Sequence, residues 1–241
     1  MEIAENKLIS IIIPVYNHAN FLSKAVGSAL SQTYRPLEII IVNDGSTDNF
    51  GEVIKGLERK IRQEDVSVKI INQENQGAPA ARNHGFRESH GEYILFWDAD
   101  TVAKPVMLTK MQSILADNPE VSYVYSGFKF GWKKFICQPF SAEKLKQVNY
   151  IDVGALIRRI DFPGFDEKLK RFQDWDLWLT MLEQGKQGVG ISEILYQHLV
   201  DKNRTPISYW LPKFIYKLPW KSKRVKAYEG AREIIKQKHN L

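Results

Sequence analysis

The chain has 241 residues, 34 basic against 28 acidic, a formal charge of +6, 44% hydrophobic residues and one cysteine, a globular composition with room for one large domain and an appendage. A lone Cys137 excludes an internal disulfide framework and a cysteine-held zinc or iron–sulfur centre, so any metal must take oxygen or histidine ligands. The first residues lack the basic start and cleavage site of a signal peptide, and the apolar runs fall far short of the roughly 20 residues that cross a bilayer, so a cytoplasmic location is expected.

In chain order, 8–15 and 37–42 are continuous β-branched runs of strand length, the pattern of central parallel strands covered on both faces. Between them Asn20 is a candidate cap for a helix whose Phe21, Leu22, Ala25, Val26, Ala29 and Leu30 share one face. A helix after Asp48, a strand at 68–71, a helix opening at Pro79, a strand at 92–97, a helix at 105–118 and a strand at 121–125 follow. The alternation predicts a Rossmann-like, doubly wound, mainly parallel sheet with ligands beyond the carboxyl ends of its strands.

Those strand ends carry Pro14-Val15-Tyr16-Asn17, Asn43-Asp44-Gly45-Ser46 and Asp98-Ala99-Asp100. The absence of GxGxxG and GxxxxGK(S/T) loops argues against dinucleotide redox chemistry and ordinary ATP hydrolysis. Carboxylates repel phosphate unless a divalent cation lies between them, so Asp98 and Asp100 suggest oxygen-ligated Mg²⁺ or Mn²⁺ bridging a diphosphate.

The order IIIPVYN, EIIIVNDGSTD, NQGAPAARNHG, GEYILFWDAD, FPGFDE and QDWDLWL, with 54 residues from Asp44 to Asp98 and 76 from Asp98 to Asp174, resembles the family 2 glycosyltransferases of the GT-A fold, from about residue 8 to residue 201. The resemblance implies a nucleotide-sugar half over about 1–125, an acceptor half over about 126–205, and a UDP-sugar donor whose uracil imide is bound by Asp44. Pro14, Val15, Tyr16, Gly77 and Ala99 complete the expected donor site. Arg82, one turn inside its helix, is expected to pair with phosphate or with Asp98. The resemblance places Asp100 on the metal and Asp98 on the ribose or the metal's water shell. It also implies a late metal ligand, for which His198 and Asp201 are the candidates. Gly164, Phe165 and Trp175 are expected on the acceptor side, which is carbohydrate or a lipid-linked glycan; no nucleic-acid partner is expected. Asp174 takes the general-base position, with capping of the following helix as the alternative. Gln173 stands where the family usually has Glu, and losing that neighbouring charge is expected to lower the Asp174 pKa slightly.

One base and a metal-held leaving group suffice for transfer with inversion, in cell-surface glycan, polysaccharide or glycolipid synthesis. A sugar nucleotidyltransferase and a non-catalytic nucleotide-sugar-binding module are the alternatives. Phe128, Phe130, Trp132 and Phe135 read either as acceptor-lining residues or as a hairpin with one packed face. Residues 206–241 hold nine Lys/Arg and two Asp/Glu, while the remaining residues hold 25 and 26. This basic aromatic extension is expected either to dock on an anionic membrane surface or to pack its aromatics back on the catalytic domain, and to end in a helix from about 225 to 238.

Overall fold

The computed structural model describes residues 6–200 and 222–241. Nine strands among them form one sheet in the order β3-β2-β1-β4-β8-β6-β9-β5, with β7 on β6. The first four strands, β1 (Ile9–Val15), β2 (Leu37–Asp44), β3 (Ser67–Gln73) and β4 (Tyr93–Phe96), run parallel. Every residue of β1 is buried, as a β-branched strand covered on both faces must be. Its alternation divides the core: Ile9, Ile11, Ile13 and Val15 face one apolar layer, while Ile12 joins a second layer with Ile40 and Val42.

Helices α1 (Ala19–Leu30), α2 (Phe50–Arg62) and α4 (Met107–Asp117) cover the first layer; α3 (Ala78–Arg87), the short α5 (Ala142–Gln147) and α6 (Gln173–Glu183) cover the second. The second half departs from pure alternation. β8 (Leu156–Arg158) runs antiparallel to both β4 and β6 (Tyr123–Phe130), whereas β9 (Gly188–His198) runs parallel to β6 and antiparallel to β5 (Thr101–Ala103). The sheet is mainly parallel with an antiparallel insertion. β6 outruns the expected 121–125 because β7 (Lys133–Phe135) folds back on it. Phe128 and Phe135 stack there at 4.6 Å between centroids, so the aromatic pattern belongs to a packed hairpin, with Trp132 exposed at its tip.

Asn20 does not cap α1. The helix begins two residues earlier than a cap at Asn20 implies, and the Ala19 N–H donates to Asp48 Oδ2 at 3.0 Å from the neighbouring loop. Asn17 ties the same two loops, its Oδ1 accepting from Thr47 N at 2.7 Å. The helix expected from about 225 is α7 (Lys223–Lys238), started by Ser222, whose Oγ accepts from Val225 N. It is not a free tail. Val225 and Ile235 are buried, Arg232 donates to Gln147 O, and Lys238 pairs at 2.8 Å with Asp166 and with Asp176. The aromatic and basic residues at 207–221, and Asp201, lie outside the described residues. No helix among the described residues is long and apolar enough to cross a membrane.

Helix α3 lies flush on the sheet because Gly85 has no side chain: a Cβ there would meet Ile12 Cγ2, and Val42 Cγ2 at 3.1 Å. Gly85→Ala should therefore destabilise the fold by roughly 1–3 kcal/mol, despite alanine's better helix propensity, because the helix must lift from β1. A urea denaturation series checks this; a stabilised variant would contradict the tight contact.

Candidate active site

The carboxyl ends of β1, β2 and β4 border a cleft of about 190 Å³. Pro14, Val15 and Tyr16 form one wall. Asp44, Arg82, Asp98, Ala99 and Asp100 form the rest, with His18 and Ala78, two residues the sequence reading did not single out. Gly77 does not line the cleft. At φ +93° it turns its N–H toward Asp44 Oδ2 at 2.9 Å. Asp44 Oδ1 also accepts from Gln73 Nε2 at 2.8 Å and Gln76 N at 2.9 Å. This buried carboxylate thus organises the 75–78 turn and retains an acceptor site on Oδ2.

Arg82, from the first turns of α3, is buried and reaches two elements at once. Nη2 donates to Asp98 Oδ1 at 2.7 Å, and Nη1 donates to Gln173 Oε1 at 2.9 Å. Its guanidinium also lies 5.3 Å from the Phe165 ring centre. Of the two expected partners, Asp98 is the one Arg82 engages. The neighbouring Asn83 clamps the 162–167 loop, donating to Phe165 O and accepting from Phe165 N at 2.8 Å.

Asp98, Asp100 and His198 each offer a ligand atom, all within 4.8 Å of one another. Strand pairing creates this cluster: β5 and β9 align Thr101 opposite His198, so His198 Nδ1 lies 3.2 Å from Asp100 Oδ1 and 3.2 Å from Thr101 Oγ1. Two carboxylates and an imidazole suit Mn²⁺ or Mg²⁺ in donor type, so the residues present fit a divalent cation. The other imidazole nitrogen, Nε2, lies 3.1 Å from Asp152 Oδ2. Burial alone would lower the His198 pKa, but the carboxylates of Asp152 and Asp100 override it and hold the ring well above its ordinary value.

Asp174 lies in the first turn of α6, past the N-cap position, which Phe172 occupies at φ 58°. Its Oδ2 accepts from Asn149 Nδ2 at 2.8 Å and its Oδ1 from Trp175 N at 2.9 Å. Its pKa is nonetheless raised. Burial first, and then the charge of Asp152, push it up to about 6. Gln173 relieves one negative neighbour, but Asp152, 22 positions earlier, supplies another. On the intended acceptor side, Trp175 is 1% exposed and donates Nε1–H to Leu145 O at 2.6 Å, so it is a core residue unable to meet an acceptor. Phe165 is also buried, packing against Phe96 and Phe162; Gly164, at φ +93°, keeps a partly exposed backbone. The sequence reading missed Asn149 and Asp152, which lie in an irregular loop with no motif around them.

The family model described as Glycosyl transferase family 2 matches residues 10–176. An uncharacterized glycosyltransferase of Rickettsia conorii is 34% identical over 194 residues, covering 72% of this chain, which spans only 31% of that relative. Among solved structures, S. aureus TarS in complex with UDP-GlcNAc superposes with a TM-score of 0.68 at 17% identity, over 88% of this chain and 64% of that one. The mannosyltransferase PcManGT from Pyrobaculum calidifontis, in complex with GDP-Man and Mn²⁺, gives 0.67 at 19% identity, over 83% of this chain and 59% of that one. At such identities the likeness concerns the fold.

Because the folded Asp174 pKa of about 6 exceeds its ordinary 3.8, the folded state binds the proton more tightly than the unfolded chain, so this group's contribution to stability is lost as pH rises from 3.8 to about 6. Asp174→Asn should melt no lower than wild type at pH 7.5, while any transferase turnover falls roughly 100-fold or more. Wild-type turnover should drop on the acid side with a midpoint near pH 6. Thermal melts and a pH–rate profile check both; preserved turnover in the variant would remove Asp174 from the chemistry.

Proposed function

The chain belongs to glycosyl transferase family 2, and on that premise we propose that it moves a sugar from a nucleoside diphosphate sugar to an acceptor hydroxyl with inversion at the anomeric carbon. One observation carries the reading: Asp98 and Asp100, which cluster with the imidazole of His198, line the same cleft as Asp44, and Arg82 ties Asp98 to the start of α6, where Asp174 lies.

Asp44 would accept the uracil imide N–H at its remaining Oδ2 site, which favours a UDP-sugar. Tyr16, half exposed at the end of the neighbouring strand β1, would flank the base. Asp98, Asp100 and His198 would hold Mn²⁺ or Mg²⁺, which when bound would neutralise the diphosphate leaving group, so the chain needs no general acid. Arg82 is already committed to Asp98 and Gln173; its work is to orient Asp98 and to place one positive charge beside the acidic pair. Asp174, with a pKa just below neutrality, is ionised at working pH yet retains enough basicity to take the acceptor proton. Asn149 fixes its orientation. A double displacement would need a second free carboxylate. Asp152 is the neighbour of Asp174, but its Oδ2 is occupied by Tyr196 and His198, which favours the single displacement.

The acceptor would be carbohydrate or a lipid-linked glycan. For the latter, 207–221 interleaves Tyr209, Trp210, Phe214, Tyr216 and Trp220 with Lys213, Lys217 and Lys221, a composition suited to an anionic membrane surface. Replacing these three lysines by Glu should abolish co-sedimentation with phosphatidylglycerol vesicles and leave melting unchanged; equal sedimentation would remove the membrane from the reading.

Product analysis with UDP-sugars separates transfer, which releases nucleoside diphosphate, from nucleotidyl transfer, which releases pyrophosphate. Asp100→Ala should abolish transfer and the metal-dependent part of UDP binding with little change in melting temperature, since this strand-end carboxylate contributes nothing to the apolar core. Full activity in that variant, or wild-type activity indifferent to EDTA, would overturn the metal-dependent mechanism.

A further inference from the structure

The 149–152 loop reaches both sides of the site: Asn149 donates to Asp174, and Asp152 meets His198. Asp152 belongs to no sequence motif, and its chemistry is specific. Its Oδ2 accepts from Tyr196 Oη–H at 2.8 Å and faces His198 Nε2 at 3.1 Å. The same ring presents Nδ1 to Asp100 Oδ1 at 3.2 Å. An imidazole that gives one nitrogen's lone pair to a cation keeps a single N–H, so it can donate to only one of these carboxylates. Opposite the other, lone pair meets lone pair, an arrangement that becomes favourable when a cation lies nearby. Asp100 lines the open cleft and belongs to the three-residue cluster; Asp152 does neither. The Nε2 hydrogen therefore falls to Asp152 and the Nδ1 lone pair to the cluster.

We propose that Asp152 is a positioning residue for the divalent cation: by accepting from His198 Nε2–H it selects the tautomer and ring orientation that aim the Nδ1 lone pair at the space shared with Asp98 and Asp100. The inference rests on the metal-dependent reading above. Tyr196 steadies the arrangement from behind, since its hydroxyl donates to the same Asp152 oxygen and its ring lies 5.7 Å from the His198 ring between centroids. Outer carboxylates of this kind commonly change metal affinity by about 10–100-fold.

The test measures Mn²⁺ affinity directly, by the loss of the free-ion electron paramagnetic resonance signal with UDP present, on the full chain. Asp152→Ala should weaken Mn²⁺ by about 10–100-fold. Asp152→Asn, which keeps the volume and one acceptor oxygen for Nε2–H, should fold as wild type and lose less affinity than the alanine variant. Nitrogen-15 spectra of the wild type with Mg²⁺ and UDP should place the His198 hydrogen on Nε2. Mn²⁺ affinity within twofold of wild type in folded Asp152→Ala, or a wild-type ring protonated on Nδ1 alone, would overturn the proposal. His198→Ala distinguishes the two levels. If it weakens Mn²⁺ while Asp152→Ala does not, only the positioning role fails; if both His198→Ala and Asp100→Ala bind Mn²⁺ as wild type does, the metal site itself fails, and the proposal with it.

Discussion

Two hydrogen bonds from one buried guanidinium join the two halves of this protein at the site. Arg82 gives one arm to Asp98, at the end of β4, and the other to Gln173, at the start of α6. A buried charge is tolerated only when paired, and here a single carboxylate balances it. A glutamate at 173 would bring a second carboxylate to the same guanidinium and a further negative charge beside Asp174; the neutral glutamine keeps the hydrogen bond without that charge. Arg82 can hold this position because its helix lies against the sheet at the side-chain-free Gly85.

The acidic character of the site is distributed rather than concentrated. Asp44 spends its charge on the N–H groups of Gln76 and Gly77, Asp98 on Arg82, and Asp152 on His198 and the Tyr196 hydroxyl. Among the described residues Asp174 accepts from Asn149 and one backbone N–H, and burial raises its pKa to about 6. Asp152, with the imidazole and hydroxyl beside it, is held below its ordinary pKa, whereas burial and the Asp152 charge raise that of Asp174.

Helix α6 is held from behind as well as from the cleft. Asp176, two residues past Asp174, is buried against Lys238 and His239 at the end of α7, and Lys238 also reaches Asp166 beyond the Gly164 turn. The C-terminal helix therefore packs onto the element that carries Asp174, although the charge count alone made 206–241 look like a separate basic tail.

The sequence by itself determined the parallel half of the sheet, because β-branched runs such as 8–15 and 37–42 can be buried on both faces only as central strands. It also determined which carboxylates end those strands, because Asp44, Asp98 and Asp100 follow directly from strand length and turn composition. The family resemblance added the expectations at Asp174 and His198. The tertiary structure alone decided what depends on distant segments meeting. The antiparallel β8 and the β5–β9 pairing bring His198 across the sheet to Asp100. An irregular loop brings Asn149 to Asp174 and Asp152 to His198, and burial together with the Asp152 charge raises the Asp174 pKa whatever its adjacent residue contributes. Packing also turned Trp175 into the core. Local propensity and periodicity register only neighbours a few positions apart, whereas the charge and solvation of a buried carboxylate are set by whatever the fold lays against it.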